Sequence, residues 1–338
     1  MKAAILEKID APLAIREVDL TPLKFGQVLV KILVSGLCGA QLHEIRGHKG
    51  NAKFLPHLMG HEGCGIVDKV GLGVTTVKPG DKVVMHWRPG SGVEAPFPNY
   101  ILDGKTISSG KVTTLSESSI VSENRVTKID PDTPSVLAAM LGCSLTTALG
   151  IIDNECDLKF GESVAVVGCG GVGLNLLQAA AMKSATPIFG VDINQSMRDL
   201  SVRMGAEGFT DDLSSIPIKL DVIIDTTGNP GVIAKAYDKL APSGRLILVG
   251  QPAPGKSVEL PNAVSMFDGA GKSIRATQGG RTDPETDIPR YIGLAKKEVL
   301  DWKTLHTDTF SLDEVNDAFD LLKSGNAGRI MIKIGEGE

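Results

Sequence analysis

Three residues that lie far apart in the chain have side chains that could bind one metal ion together. Cys38 lies in the sequence GLCGAQLH, His61 in GHEGCG and Cys143 in LGCSLTT. Two thiolates and one imidazole suit zinc, which would keep a fourth position for water or substrate. Isolated cysteines are more often small buried apolar residues, so these three alone support a metal site only weakly.

A glycine-rich turn near the middle of the chain has the pattern of a dinucleotide-binding loop. The apolar strand Val164–Val167 leads directly into GCGGVG, residues 168–173, and a helical pattern follows. In such a turn Gly168 would permit the tight bend, Gly170 would let the backbone approach a pyrophosphate, and Gly173 would allow close helix–strand packing. The sequence therefore predicts a nucleotide site here.

The residues after the turn indicate which nucleotide would bind. Gly171 and Val172 lie where the helix begins, and a helix N-terminus offers free N–H groups to phosphates. The next predicted strand ends at Asp192, nineteen residues past Gly173, where a carboxylate can accept hydrogen bonds from both ribose hydroxyls. A 2′-phosphate would meet like charge there, so the pattern favours NAD over NADP. The alternative is a glycine-rich turn followed by an exposed aspartate without a ligand.

The elements that would position these residues differ between the two parts of the chain. Up to residue 145, short β-branched runs such as Gln27–Val34 and Gly65–Val70 are separated by Gly and Pro, which predicts a barrel or a compact sandwich. From Thr146 onward, strands alternate with helices, which predicts a parallel, doubly wound α/β sheet. The Gly-, Pro- and Ser-rich stretch Arg88–Lys111 is predicted to be an extended loop. The predicted elements beyond Thr146 are the strands Ser163–Val167, Pro187–Val191, Leu220–Ile224, Arg245–Val249 and Arg329–Ile334 and the helices Leu174–Lys183, Gln195–Met204, Val232–Leu240 and Leu312–Leu322.

Length and composition limit the class of protein. The 338 residues, 42% apolar and 22% charged, predict two globular domains. A net charge of −5 argues against a nucleic acid or an anionic membrane as the partner. Five scattered cysteines and no visible secretory signal predict a reduced, cytoplasmic protein. The uncharged run Val164–Met182 is long enough for a membrane helix, but its four glycines favour strand, turn and helix.

Taken together, the segments around Cys38, His61, Cys143 and the glycine-rich turn resemble the zinc-containing medium-chain dehydrogenases, which include alcohol, sorbitol and threonine dehydrogenases. The likeness covers nearly the whole chain, in order. Cys143 lies 25 residues before Gly168, and Asp192 lies 24 residues after it, as in that family.

The resemblance implies an α/β fold with two domains. Residues 1–145 plus 279–338 would form a GroES-like β-barrel catalytic domain. Residues 146–278 would form a Rossmann domain, with a doubly wound parallel sheet that binds NAD. The implied activity is the transfer of a hydride between an alcohol and NAD, with polyols and sugar derivatives among the candidate alcohols.

The resemblance also implies roles for individual residues at the metal. A catalytic zinc would be held by Cys38, His61 and Cys143 in the cleft between the two domains. Glu62, beside His61, would either support the ligands from behind or act as an alternative fourth ligand.

Around the metal, the resemblance assigns three further residues. Thr147 would face the nicotinamide, Arg329 would contact the pyrophosphate, and His43 would be the outer histidine of a proton relay. Relatives carry Ser or Thr two residues after the first cysteine and commonly Asp after that. Here these positions are Ala40 and Gln41, and a methyl group cannot relay a proton.

A second departure concerns the number of metal ions. Relatives that carry a structural zinc have four closely spaced cysteines shortly after the strand that ends near Val83. Between Val83 and Lys111 this chain has no cysteine. We therefore expect one catalytic zinc per chain and no structural zinc.

Two alternatives to the zinc dehydrogenase stay open at this point. One is a zinc-free NADPH-type reductase of the same superfamily, against which the three possible ligands and Asp192 argue. The other is a nucleotide-binding protein without turnover, to which Ala40 and Gln41 give some weight. The expected partner is a small alcohol or carbonyl substrate, with no nucleic acid and no membrane. The resemblance also implies a homodimer or homotetramer.

Overall fold

The computed structural model describes residues 1–336, and within them the chain forms three sheets flanked by helices. The strands are β1 (Lys2–Leu6), β2 (Ala14–Glu17), β3 (Asp19–Leu20), β4 (Gln27–Gly36), β5 (His57–Leu58), β6 (Glu62–Val70), β7 (Lys82–His86), β8 (Asn99–Leu102), β9 (Lys105–Ser108), β10 (Ser118–Ser122), β11 (Val126–Lys128), β12 (Val164–Val167), β13 (Ile188–Val191), β14 (Gly208–Thr210), β15 (Leu220–Asp225), β16 (Leu240–Leu248), β17 (Ser273–Ala276), β18 (His306–Ser311) and β19 (Arg329–Lys333). The α-helices are α1 (Gly39–Ile45), α2 (Ser135–Met140), α3 (Ser144–Gly150), α4 (Gly171–Met182), α5 (Arg198–Arg203), α6 (Pro230–Lys239), α7 (Pro284–Lys296), α8 (Trp302–Leu305) and α9 (Val315–Ser324).

The second half of the chain contains a parallel sheet of six strands in the order β14-β13-β12-β15-β16-β17. Its central strand β12 is buried on both faces. Val166 packs in the same core as α4, whereas Ala165 packs with Ile233 and Tyr237 of α6 on the opposite face. A strand covered on both sides reads as a continuous apolar run, which is why Val164–Val167 carries no polar residue. The predicted doubly wound sheet is confirmed.

The first part of the chain contributes to two further sheets, and the long strand β4 lies inside one of them. One edge of β4 pairs with β6, and its other edge pairs with β10 and β19. Side chains alternate along β4: Val28 and Val30 enter one core, while Leu29 enters another with Tyr100. This period of two explains how one strand joins two hydrophobic layers.

The chain returns to the first part after the parallel sheet. Strand β19 pairs antiparallel with β4, so that Met331 lies opposite Gly36. A residue from the end of the sequence thereby reaches the strand that leads to Cys38. The division into residues 1–145 plus 279–338 and residues 146–278 stays a prediction, and residues 337 and 338 lie outside the described part.

The prediction of an extended loop over Arg88–Lys111 was partly wrong. Strands β8 and β9 form a hairpin within it, and Asp103 and Gly104 at its tip have positive φ angles of 49° and 75°. Asp-Gly between alternating apolar residues is a hairpin signal that favours this turn. The overall Gly and Pro content of the stretch favours a loop and hides this turn signal.

Helix α7 was not among the predicted elements, although its start carries two familiar signals. Asp283 caps the helix through a hydrogen bond from the Glu285 N–H, and Pro284 occupies the first helical position. Both residue types are favoured at these positions.

The uncharged run Val164–Met182 divides into β12, a turn and α4. Among residues 1–336, no helix has the length and apolar character needed to cross a bilayer.

Candidate active site

The three possible metal ligands lie at the ends of strands and helices. Two belong to the first part of the chain, and the third lies just before the chain enters the part that forms the parallel sheet. Cys38 follows β4 and caps α1. His61 immediately precedes β6, and Cys143 lies between α2 and α3. The topology brings them together because β6 pairs with β4, while α2 packs against both strands.

The ligand atoms of Cys38, His61 and Cys143 all lie within 4.8 Å of one another. Donor atoms on a tetrahedral zinc are separated by roughly 3.5 to 4 Å, so small side-chain adjustments would bring the three onto one ion. Both cysteines are buried, with 8% and 9% of their surfaces exposed. The donor chemistry and spacing therefore fit zinc.

The electrostatics of this cluster favour one thiolate even without a metal. The pKa of Cys38 lies well below its ordinary value, because the Cys143 thiol donates a hydrogen bond to it and His61 adds to the effect despite burial. The same hydrogen bond, together with burial, raises the pKa of Cys143. Burial acts to lower the pKa of His61, but its contact with Cys38 raises it overall. A cation would remove the competition between the two thiols, since metal ligation requires both deprotonated.

Glu62 is fully buried and lies behind the ligands, and the metal-ligand cluster does not include it. Its Oε1 accepts a hydrogen bond from Nη2 of Arg329, and its Oε2 accepts a longer one, 3.3 Å, from the Ser144 N–H. Burial raises the pKa of Glu62, and Arg329 partly offsets that rise. In this arrangement Glu62 acts as the partner of Arg329.

Arg329 connects Glu62, beside the possible metal ligands, with the glycine-rich turn. A Cβ atom added at Gly171 would lie 2.8 Å from Cδ of Arg329, so the arginine packs against the first residue of α4. Only 2% of Arg329 is exposed, and its Nε has no hydrogen-bond partner among the described residues. A buried donor without a partner costs free energy, which an anionic group of a bound cofactor would recover.

The glycine-rich turn adopts the conformation that its sequence predicts. Gly168 has a φ of 89°, in the region that favours glycine. A Cβ at Gly173 would lie 1.9 Å from the Gly168 carbonyl oxygen, whereas nothing lies within 4 Å of a Cβ at Gly170. Helix α4 then starts at Gly171, with Val172 in its first turn. The open space over Gly170 fits a pyrophosphate.

Asp192 follows the last residue of β13 and is oriented by the turn itself. Its Oδ2 accepts the Cys169 N–H at 2.7 Å and its Oδ1 accepts the Asn194 N–H at 2.8 Å. A carboxylate has further lone pairs that remain for ribose hydroxyls. The structure thus brings the predicted nucleotide-binding residues to one edge of the parallel sheet.

Two other predicted site residues lie on the helices next to the ligands. Thr147 is one turn along α3 from Cys143 and is 7% exposed. His43 lies in the last turn of α1, exposed, with its ring centroid 5.8 Å from that of His48. Ala40 lies between Cys38 and His43 on α1 and supplies no hydroxyl.

The aromatic pair at the end of β7, His86 and Trp87, packs against the protein. His86 is buried, and its ring nitrogens contact the Arg88 carbonyl oxygen and the Thr127 hydroxyl. A Cβ at Gly279 would lie 2.5 Å from the Trp87 ring. Packing therefore accounts for His86, and the Trp87 ring packs against the backbone at Gly279.

Sequence reasoning missed the part that Gln41 takes in the site. Its side chain is fully buried, and its Oε1 accepts the Cys38 N–H at 2.8 Å. This contact fixes the backbone of a metal ligand. The signal was present, because a Gln three residues after a helix-capping position typically closes back onto the cap.

Two cysteines and a histidine that can bind zinc lie close to a dinucleotide-binding turn, and Arg329 connects the two. This combination defines a zinc-binding dehydrogenase. Comparisons with known proteins agree. Residues 24–131 match the alcohol dehydrogenase GroES-like domain, and residues 171–297 match the zinc-binding dehydrogenase domain. The S-(hydroxymethyl)glutathione dehydrogenase of Shigella sonnei is 30% identical over 373 residues, with 98% of this chain and 99% of the relative covered.

Solved structures of low sequence identity share the fold. An alcohol dehydrogenase zinc-binding domain protein from Burkholderia ambifaria superposes with a TM-score of 0.90 at 24% identity, covering 99% of both chains. An alcohol dehydrogenase from Escherichia coli, solved with NADH, has a TM-score of 0.81 at 22% identity and covers 98% of this chain and 99% of its own.

The chain belongs to the zinc-dependent medium-chain dehydrogenase family. The predictions of a GroES-like part and a Rossmann sheet, and of a zinc-dependent, NAD-linked enzyme of the alcohol dehydrogenase type, are confirmed.

Proposed function

We propose that this enzyme oxidises a small alcohol to its carbonyl compound, and catalyses the reverse reaction, with one zinc ion and NAD per chain. The proposal depends on one observation: Cys38, His61 and Cys143 converge within 4.8 Å. When bound, zinc supplies a Lewis acid for the alcohol oxygen and NAD supplies the hydride acceptor.

The residues around the ligands would fix the geometry of that reaction. Gln41 holds the Cys38 backbone, and the Glu62–Arg329 pair supports the ligands from behind. Arg329, with its free Nε, would contact the pyrophosphate, while Thr147 would border the nicotinamide. This arrangement would hold the alcohol and the nicotinamide in contact, which lowers the entropic cost of the reaction.

Alcohol oxidation also releases a proton, and here the chain departs from its relatives. Because Ala40 has no hydroxyl, a water molecule would bridge the gap from the reacting oxygen to His43. The exposed ring of His43 would then pass the proton to solvent.

The sequence and the site support NAD rather than NADP, and one zinc ion rather than two, as the cofactors. The carboxylate of Asp192, held by two backbone N–H groups, would accept ribose hydroxyls and repel a 2′-phosphate, which favours NAD. The cysteine-free stretch between Val83 and Lys111 supports a single zinc ion per chain. Glu62 pairs with Arg329, which supports three protein ligands and leaves the fourth position for substrate.

The remaining features of the proposal concern the whole protein. Residues 1–145 plus 279–338 would form the catalytic domain and residues 146–278 the NAD domain. We place the enzyme in the cytoplasm as a homo-oligomer. The five free cysteines agree with a reducing compartment.

Replacing single ligands tests the proposal. Cys38→Ala and Cys143→Ala each remove one of three protein donors, so both variants should lose bound zinc and at least about a thousandfold in kcat/KM with NAD and an alcohol panel, a loss on the scale that oxyanion-stabilising groups supply. Zinc is measured by mass spectrometry of dialysed protein, and turnover by the absorbance of NADH.

Cys156→Ala provides the matched control, because Cys156 is also buried and lies outside the cluster. It should keep its zinc and its turnover. Full activity of the zinc-free Cys38→Ala protein would refute the proposed function.

A further inference from the structure

The segment that connects the first two metal ligands carries an unusual balance of charge. Between Cys38 and His61 the chain has three cations, Arg46, Lys49 and Lys53, and a single acid, Glu44. The whole protein is acidic, with a net charge of −5. Both ends of this segment are ligands, so its loop borders the metal site.

The one acid in the segment does not neutralise these cations. Oε1 of Glu44 lies 3.8 Å from Nε2 of His57. Arg46, Lys49 and Lys53 form no ion pair with any residue between 1 and 336, and all three are exposed. In contrast, many other lysines and arginines of the chain pair with a carboxylate, such as Lys31 with Asp68 at 2.8 Å.

The turn after α1 brings these cations close to His43. Arg46 follows α1, the seven-residue helix that Cys38 caps. The His48 N–H donates to the His43 carbonyl oxygen at 2.9 Å, which folds the chain back and brings the two imidazole rings together. Lys49 follows His48 directly in the chain.

Electrostatic effects on the neighbouring His43 agree with this placement. The pKa of His43 is lowered by partial burial and, next, by the charges of His48, Arg46 and Lys49. Arg46 and Lys49 therefore lie within electrostatic range of His43, on the helix that Cys38 caps.

We propose that the substrate is a small alcohol that carries a carboxylate or a phosphate, which Arg46 and Lys49 bind at the mouth of the metal site. This inference rests on the proposed function and narrows its substrate class. Charge-assisted hydrogen bonds from a guanidinium and an ammonium suit such an anion. A free cationic pair also raises the rate of encounter with anionic substrates.

Matched substrate pairs test the proposal with the zinc-loaded enzyme and NAD. The pairs are glycerol and glycerol 3-phosphate, sorbitol and sorbitol 6-phosphate, and 2-butanol and 3-hydroxybutyrate. The anionic member of at least one pair should have a kcat/KM at least about tenfold higher, the usual effect of one charge-assisted hydrogen bond. The first two pairs report on phosphate and the third on carboxylate.

The variant Lys49→Gln removes the charge and keeps a polar side chain that is one atom shorter. The ratio of kcat/KM for the anionic over the neutral member should fall about tenfold. Lys69→Gln is the control, because Lys69 is exposed on β6 about 23 Å along the strand from Glu62. It should leave the ratio unchanged.

The outcomes separate this inference from the proposed function. Turnover of neutral alcohols that equals turnover of every anionic partner overturns the inference and leaves the dehydrogenase intact. A Lys49→Gln effect confined to KM for NAD also overturns it, since the charge would then serve the cofactor. No turnover of any alcohol defeats both proposals.

Discussion

Two glycines of the dinucleotide-binding turn, Gly170 and Gly173, have opposite surroundings, although they lie only three positions apart. An added Cβ at Gly173 would lie 1.9 Å from the Gly168 carbonyl oxygen, whereas a Cβ at Gly170 would meet no atom within 4 Å. Gly173 thus serves the packing of α4 on β12, and Gly170 leaves space for a ligand. The same residue type meets two separate physical requirements.

Substituting alanine at each position should therefore separate folding from cofactor binding. Gly170→Ala should unfold at the same temperature as the parent and bind NAD at least about tenfold more weakly, because its methyl group fills the space for the pyrophosphate. Gly173→Ala should lose about 3 kcal/mol or more of folding free energy through overpacking. Calorimetry gives both quantities. Equal stability losses for the two variants would contradict this assignment.

Residue types alone went far towards the site. The sequence alone singled out Cys38, His61 and Cys143, whose donor atoms converge within 4.8 Å, and the glycine pattern, because metal ligands and tight turns permit few residue types. The ion pair between Glu62 and Arg329 was not predicted, because its partners lie 267 residues apart. Nothing local in the sequence encodes such a pairing.

At the scale of elements, the junction between the two halves of the chain depends on a short π-helical turn, Ile151–Glu155, that extends α3. Its last residue, Glu155, is 5% exposed. The carboxylate accepts hydrogen bonds from Arg275, Arg281 and Thr277 at 2.9 to 3.4 Å. One buried acid thereby holds the segment that leads out of the parallel sheet.

The variant Glu155→Gln should destabilise the protein by about 1–2 kcal/mol, because it removes the charge from several hydrogen bonds of a buried carboxylate. Its side-chain shape is preserved, so the loss reports on charge. Urea unfolding at neutral pH measures the change.

Asp320→Asn is the comparison for Glu155→Gln, since Asp320 pairs with Lys323 while 72% of its side chain is exposed. Exposed pairs contribute less than about 1 kcal/mol. If both variants unfold at the same urea concentration, Glu155 has no special part in holding the junction.

Elements with strong periodicity were predicted well, and those fixed by turns were predicted less well. The apolar run of β12 and the α4 pattern left few choices. The hairpin β8–β9 depends on two residues, Asp103 and Gly104, with positive φ. A composition rich in Gly and Pro hid these two positions, because composition averages over the stretch and a turn depends on single residues.

At the scale of the whole molecule, the parallel sheet has an open edge at β17. Among the described strands β17 pairs with β16 alone, and all four of its residues are exposed. The Lys272 N–H donates to the Met266 carbonyl oxygen and holds the exposed Phe267 nearby. Open edges with apolar neighbours tend to pair with another chain.

The homo-oligomer of the proposal would therefore use this edge. In light-scattering measurements on a sizing column the protein should have at least twice the mass of one chain, and Phe267→Glu should shift it towards the monomer, because a buried charge opposes association. Phe160→Glu serves as the control, since Phe160 is also exposed, 89%, but lies in the turn before β12. A parent protein of monomer mass, or an equal shift in both variants, would exclude this interface.

The long separation between Glu62 and Arg329 has a consequence for how the protein is made. During synthesis Cys38, His61 and Glu62 leave the ribosome well before the arginine that neutralises the carboxylate, which is 267 residues later. A buried carboxylate without its cation is costly, so we expect the surroundings of Glu62 to stay open to water until β19 has paired with β4. The candidate zinc site would then reach its final geometry late in the maturation of the enzyme.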